Sequence, residues 1–384
     1  MTLKQPESGM PRVDGTLRRL CCYLTTEELG GMEMSVATVL ANLEREWAVT
    51  VIGSSSLVLE HVSGGSAHIR KVCVPVVRHK SDVGAIAAHI RAVRRARPDL
   101  MLVSLSQLYD AQYGFLAARV NRVPTVAVVH SVFPPTSFSH KLLFRLVSRR
   151  VRAFGGVSRS VCGATEEALG LRPGSVTLLY NGVSDPRGHR EEQEPEPEQE
   201  PEPEPGMGSS IGSGFMIGAV GRLVPEKGFD TVLRALVTLP DASLVVVGDG
   251  PERPALERLS TDLGLSGRVT FAGRVEAPWT AQWRFDVLAM PSRTEGFGLV
   301  AVEALLAGIP VVGSRVGGLC EVLTDGETGL LVPVGDPPAL AAAIRRLQAD
   351  PSLRSRLAGQ GGIEARQRFT IDSMMRSYRS FLAI

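Results

Sequence analysis

The run TEGFGLVAVEALLAGIPVV, from Thr294 to Val312, places two glutamates eight residues apart, Glu295 and Glu303, around a glycine-flanked turn and an apolar helix. Met290 and Pro291 close the apolar run Val287-Leu288-Ala289, so residues 292–298 are predicted to form a loop at the carboxyl end of a strand. Ligands of open α/β sheets bind at that end. Glu303 is the helix's only charge. A carboxylate on so apolar a surface loses hydration unless donors satisfy it, and the vicinal hydroxyls of a ribose supply two. A glutamate facing solvent or capping a neighbour is the plain alternative. Glu295 lies in the loop beside Gly296 and Gly298. Their missing side chains let backbone amides approach a bound group, and sugar hydroxyls suit such a place.

Other charges sit at comparable positions. Arg222 and Lys227 follow the apolar run Phe215 to Val220, with Pro225 and Gly228 shaping the turn between strand and helix. Two cations at a strand's carboxyl end suit a diphosphate, although each is also an ordinary surface cation. Gly30-Gly31 follows the first strand, expected over Leu17 to Leu24, and is compatible with a simple turn or with close approach of a ligand. His130 ends a strand expected over Thr125 to Val129, as a reactive group or as a satisfied structural histidine. Gly248-x-Gly250 also follows a strand, yet Arg253 stands where a third glycine would complete GxGxxG, which disfavours a dinucleotide-binding dehydrogenase.

The elements that must position these residues alternate. Strands are expected near 49–52, 67–72, 99–103, 125–129, 153–157 and 176–180, with helices at 83–96, 111–120, 140–152 and 159–169. Strand then helix, repeated, means a parallel α/β sheet. A second such series begins at Phe215 and closes with helical patterns at 339–348, 352–367 and 371–382. Between the two series runs EEQEPEPEQEPEPEP, residues 191–205, with eight glutamates and no base. Alternate prolines lack amide hydrogens and the glutamates repel, so an extended, solvated linker is expected. The expected organisation is a flexible extension over 1–16, a first domain over 17–187, the acidic linker over 188–214, a second domain over 215–370, and a terminal helix over 371–384.

A chain of 384 residues with 44% apolar content and mean hydropathy +0.08 has enough for two sizeable cores. No apolar stretch approaches the roughly 18 residues of a membrane span and the N-terminus has no signal-peptide core, so a cytoplasmic protein is expected. Five scattered cysteines, Cys21, Cys22, Cys73, Cys162 and Cys320, make no CxxC and no zinc spacing. Net charge is +2, but residues 1–190 hold 24 Lys and Arg against 14 Asp and Glu, an excess of 10. A basic first half suits an anionic acceptor or an anionic membrane surface, and equally suits solvated arginine faces. The run Lys141 to Arg152 is basic and amphipathic, which allows membrane-surface contact at the inner face. No nucleic-acid partner is expected.

Taken together these pieces resemble family 4 retaining glycosyltransferases of the GT-B fold, and the resemblance runs from Gly218 to about Ile344. Beside the E-x7-E pair stand GRLVPEKG at Gly221 to Gly228, VVVGDGPE at Val245 to Glu252, VTFAGRV at Val269 to Val275 and GGLCEVLTDGETGLLVP from Gly317. The N-terminal half matches more loosely through Gly30-Gly31, His130, Val157-Ser158 and YNGV at Tyr180 to Val183. Cys320 stands where the family often has proline, and Ser184 where an aspartate commonly follows.

The resemblance implies an α/β protein of two Rossmann-like parallel-sheet domains facing across a cleft, the first for acceptor and the second for a nucleotide-sugar donor. It implies that the last helix crosses back to the first domain, with Met374, Met375, Tyr378 and Phe381 packed there. Arg222 and Lys227 would neutralise the donor diphosphate. No metal or other cofactor is then needed, and no DxD motif is present. Glu303 would hold the ribose, Gly273, Arg274 and Val275 the base, and Glu295, Gly296, Phe297, Gly298 and Leu299 the sugar and phosphates. Gly30 and Gly31 would approach those phosphates and His130 the transferred sugar. Glu321 completes the family's GGxxE element. The implied reaction is a same-face, retaining transfer from a nucleoside-diphosphate sugar, a UDP-sugar being expected, to a glycolipid, polysaccharide or natural product. The excess of positive charge in the first half argues against a cationic acceptor. A sugar-nucleotide 2-epimerase and a non-catalytic sugar-nucleotide binder are the alternatives.

Overall fold

The structure is a computed structural model that describes residues 17–79, 81–108, 110–131, 144–185, 214–275 and 285–383. The expected N-terminal extension and almost all of the acidic linker lie outside the described residues. The chain divides into two compact units, Met1–Leu179 with Met375–Ile384, and Tyr180–Met374.

In the first unit strands and helices alternate: β1 (Arg19–Tyr23), α1 (Gly31–Leu43), β2 (Ala48–Gly53), α2 (Ser56–Val62), β3 (Arg70–Cys73), α3 (Val83–Ala96), β4 (Leu100–Leu105), α4 (Gln112–Asn121), β5 (Thr125–Val129), β6 (Val151–Gly156), α5 (Arg159–Leu169) and β7 (Thr177–Leu178). All neighbouring strands pair parallel, in the order β3-β2-β1-β4-β5-β6-β7. β4 and β5 are buried at every residue, as strands covered on both faces must be. The order reverses between β1 and β4, so the chain leaves the sheet in opposite directions there and opens a crevice at the strands' carboxyl ends.

The second unit repeats the plan with β8 (Phe215–Val220), α6 (Phe229–Leu236), β9 (Ala242–Val247), α7 (Arg253–Asp262), β10 (Val269–Gly273), β11 (Val287–Met290), α8 (Leu299–Ala307), β12 (Val311–Ser314), α9 (Leu319–Val322), β13 (Leu330–Val332), α10 (Pro337–Ala349) and α11 (Pro351–Arg368). Its sheet is parallel in the order β10-β9-β8-β11-β12-β13, with the reversal between β8 and β11. Its core joins Ile217, Val232, Leu244, Val287, Val312 and Ile344, all buried.

The helix expected over 140–152 is corrected at its end. Phe144 to Ser148 are helical, but Val151 and Arg152 belong to β6, where Val151 pairs with Thr125 of β5. Ladder hydrogen bonds to an existing sheet outweigh the local helical pattern of three arginines and a valine. Residues 140–143 lie outside the described residues. Tyr180 to Asp185 group with the second unit because Val183 donates its amide to Phe369 and bridges Thr370. In the last helix, α12 (Ile371–Leu382), Met374 belongs to the second unit, its sulfur accepting from the Gly182 amide at 3.0 Å. Met375, Tyr378 and Phe381 belong to the first unit and are buried, and Arg379 pairs there with Glu46 at 2.6 Å. No helix among the described residues is long and apolar enough to cross a membrane.

Phe381 is 1% exposed, with its ring against Gly155 of β6. Phe381→Ala should lower unfolding free energy by about 3–5 kcal/mol. Urea denaturation followed by circular dichroism checks this.

Candidate functional site

The loops that leave the carboxyl ends of β8, β9, β10 and β11 are bound to one another through backbone. Gly221 donates its amide to Val247, Leu223 to Asp249, Glu252 to Leu223, and Gly248 to Gly273. Gly248 has φ +135°, and a Cβ there would stand 1.9 Å from the Gly221 carbonyl oxygen, so only glycine fits. Gly273 and Val275, at the end of β10, are thereby tied to the turn that carries Arg222.

Across the reversal in strand order, Lys227 Nζ meets Glu295 Oε2 at 2.6 Å, with Lys227 29% and Glu295 11% exposed. Ser292 donates a second hydrogen bond to the same oxygen at 3.2 Å. The turn beneath Lys227 is braced from the other side: Arg293 donates to the Pro225 carbonyl at 2.6 Å and to Asp230 at 2.8 Å, and its amide donates to the Glu226 carbonyl. A lysine paired with a mostly buried carboxylate keeps a fixed position and two spare ammonium protons.

Glu295 is positioned by main chain. Gly318 donates its amide to the Glu295 carbonyl at 2.9 Å, and a Cβ on Gly317, whose φ is +48°, would fall 2.0 Å from that oxygen. Gly296 and Gly298 lead into α8, whose first amides lack helical partners and favour negative charge. Leu299 opens that helix, and Glu303 is its one half-buried charge. Phe297 is buried against Tyr180 and Phe369, while the Tyr180 hydroxyl donates to Glu321 at 2.9 Å. YNGV and the GGxxE glutamate are thus bonded to one another, a link their separation of 141 residues conceals.

Of the residues singled out by sequence, the structure brings together Lys227, Glu295, Gly296, Phe297 and Gly298, with Arg222 exposed on the adjoining turn, Glu303 along α8, and Gly273, Arg274 and Val275 two strands away. Gly30, Gly31 and His130 belong to the first unit. Gly30 precedes α1 with φ −153°, an extended conformation open to any residue. His130 is 9% exposed, and its amide donates to Leu105. Burial pushes its imidazole pKa down to about 3, so the ring is neutral at pH 7. Its Nε2 has no hydrogen-bond partner among the described residues.

Sequence reasoning missed Ser292, Arg293 and Glu33. Glu33 accepts the Gly30 amide at 2.8 Å, the back half of a capping box. The spacing was readable, but glycine at the cap position hid the motif.

Two Rossmann-like parallel-sheet units, the second with Lys227 and Glu295 paired at its switch point, fit the GT-B class. The family described as Glycosyl transferases group 1 matches residues 210–362, and that described as Glycosyltransferase Family 4 matches 29–187. The chain is 32% identical over 287 residues to the 2-deoxystreptamine glucosyltransferase of Streptomyces kanamyceticus, covering 70% of this chain and 73% of that one. It is 29% identical over 352 residues to the 2-deoxystreptamine N-acetyl-D-glucosaminyltransferase of Streptomyces fradiae, covering 83% and 82%. With the lipopolysaccharide core biosynthesis glycosyltransferase LpsE of Rhizobium meliloti it shares 41% identity over 165 residues, a match that spans about half of that relative's length, 48%, and 43% of this chain. The fold is that of Anabaena HepE, solved in complex with UDP-glucose, at TM-score 0.77, 22% identity, and 95% and 99% coverage. The chain belongs to glycosyltransferase family 4.

Two outcomes follow from this geometry. Gly317→Ala forces a Cβ into the Glu295 carbonyl, so nucleotide affinity measured by calorimetry should fall at least about tenfold while circular dichroism stays native. His130, protonated in the unfolded chain below about pH 6.5 and neutral in the folded one down to about pH 3, stabilises the fold fully above pH 6.5 and progressively less as pH falls toward 3. The stability difference between wild type and His130→Gln should shift by up to about 1.4 kcal/mol per pH unit across that window. Denaturation series at stepped pH measure the slope.

Proposed function

We propose that this protein is a retaining glycosyltransferase that moves a hexosyl group from a nucleoside-diphosphate sugar, a UDP-sugar first among them, to an acceptor hydroxyl without a metal ion. The observation that carries the reading is Lys227 held by Glu295 at 2.6 Å across the switch point of a sheet whose neighbouring turn bears Arg222. When the bond between the sugar's C1 and the diphosphate breaks, its electron pair goes to the phosphate oxygen. Arg222 and Lys227 would take up that charge. The acceptor oxygen attacks the same face and its proton passes to the departing phosphate oxygen, with Glu295 and neutral His130 orienting the sugar. Glu303 would hold the ribose diol, and backbone at Gly273 to Val275 the base. The UDP choice is supported by the name of the HepE complex, which shares the fold.

For the acceptor we favour a small polyhydroxylated natural product over a lipid-linked glycan, because the relatives matched across both halves carry 2-deoxystreptamine in their names. The lipopolysaccharide reading is supported by a higher identity confined to about half the chain. Such a soluble acceptor fits a cytoplasmic enzyme, and membrane contact belongs to the lipid reading. The Lys141 to Arg152 stretch that suggested such contact is helical over 144–148, strand at Val151 and Arg152, and outside the described residues at 141–143.

The test is donor binding followed by product analysis. UDP or UDP-glucose at about 100 times Kd should stabilise the protein by about 2.7 kcal/mol in a thermal shift, and Glu303→Ala should remove the effect. Arg222→Ala and Lys227→Ala should each lower turnover about 100-fold or more with the melting temperature near wild type. Proton NMR of the product should show the donor's anomeric configuration retained. An epimerised sugar nucleotide with no transfer to a hydroxyl would overturn the proposal in favour of an epimerase.

A further inference from the structure

Among the described residues, four buried side-chain atoms lack any hydrogen-bond partner: Thr26 Oγ1, Glu33 Oε1, Gln112 Oε1 and His130 Nε2. Buried polar atoms are nearly always bonded, so each exception asks for a ligand or a reason. All four lie in the first unit, on segments that leave the carboxyl ends of β1, β4 and β5. Those strands are neighbours, and the switch point falls between the first two. Three adjacent strands span about 10 Å, room for one substituted six-membered ring.

The atoms specify the chemistry of that ring. Glu33 is 3% exposed; one oxygen takes the Gly30 amide and the other is unsatisfied, and a carboxylate can only accept. Gln112 Oε1 is likewise an acceptor. Among the described residues the segments after β1 and β4 carry Glu27, Glu28, Glu33 and Asp110 and no lysine or arginine before the next helix is well under way. Asp110 is already engaged by the Ser106 hydroxyl and the Gln107 amide.

Six described arginines of the first half lie away from these two segments. Arg94 and Arg95 end α3, and Arg119, Arg122, Arg150 and Arg152 line one hollow of about 260 Å³ at the amino ends of β5 and β6. Charge summed over the half therefore says little about the segments after β1 and β4.

We propose that the edge formed by the segments after β1 and β4, beside His130 at the end of β5, binds an acceptor that carries an ammonium group among its hydroxyls, with Glu33 Oε1 receiving the ammonium and Thr26 and Gln112 the hydroxyls. The proposal rests on the transferase reading above and deepens it. Glu33 serves twice, its capping oxygen fixing the start of α1 and its second oxygen selecting charge. Glu33→Gln keeps an oxygen for the Gly30 amide and removes the negative charge, so it separates the two roles.

The experiment measures binding of streptamine, scyllo-inositol and scyllo-inositol phosphate, rings alike except for charge, to the UDP-loaded full chain at pH 7 by calorimetry. Streptamine should bind at least about tenfold more tightly than scyllo-inositol. Glu33→Gln should abolish that preference and leave scyllo-inositol affinity as it was. Thr26→Val, which leaves every charge in place, should weaken both rings and keep the preference. Equal affinities for the amine and the neutral ring, a preference that survives Glu33→Gln, or tightest binding of the phosphate would each overturn the inference. UDP binding without a streptamine preference defeats this inference alone, whereas absence of UDP binding defeats the transferase reading beneath it.

Discussion

Each sheet reverses its strand order once, between β1 and β4 in the first unit and between β8 and β11 in the second, and the candidate site residues are arranged around that reversal. Parallel strands need crossover helices, and where successive crossovers turn to opposite sides no helix covers the strand ends. Side chains placed there are left to loops, to one another or to a ligand for their hydrogen bonds. Lys227 with Glu295, and Glu33 with Gln112, occupy equivalent places in the two sheets.

The two edges differ in how their polar groups are used. In the second unit, loops are bonded to one another through main chain, and the lysine already has its carboxylate. This costs conformational freedom at Gly248 and Gly317 but delivers cations in fixed positions, which suits a ligand whose charge develops during reaction. In the first unit, buried acceptor atoms are left unsatisfied and the imidazole of His130 is held neutral by burial. An edge of that kind is suited to recognition rather than neutralisation, because an unpaired buried acceptor penalises any ligand that fails to donate to it.

Charge is also partitioned by edge. Cations at the ends of α3 and α4 meet the negative ends of helix dipoles, where they contribute a few tenths of a kcal/mol to about 1 kcal/mol each. That position is a stability device available to any α/β unit and puts arginine at the amino ends of the following strands. Arg94, Arg95 and Arg119 thus have a structural reason at helix termini that is independent of any ligand.

The alternation of apolar strands and amphipathic helices was legible along both halves, since burial on two faces writes a continuous apolar run and burial on one writes a 3.6-residue period. The E-x7-E run, the Arg222 and Lys227 turn and the strand-end His130 were legible because strand, loop and helix there are local and consecutive. The start of β6 was not, because Val151 is recruited by hydrogen bonds to β5, a partner the local pattern does not contain. Nor was the Tyr180 bond to Glu321, or the pairing of Lys227 with Glu295 rather than with solvent. The sequence by itself determined the order of elements, the glycines and the residue types at the strand ends. Only the tertiary structure decided which of those residues pair, which buried atoms stay unsatisfied and at which edge the charge collects, because these depend on strand order, and strand order is set by contacts between segments far apart in the chain.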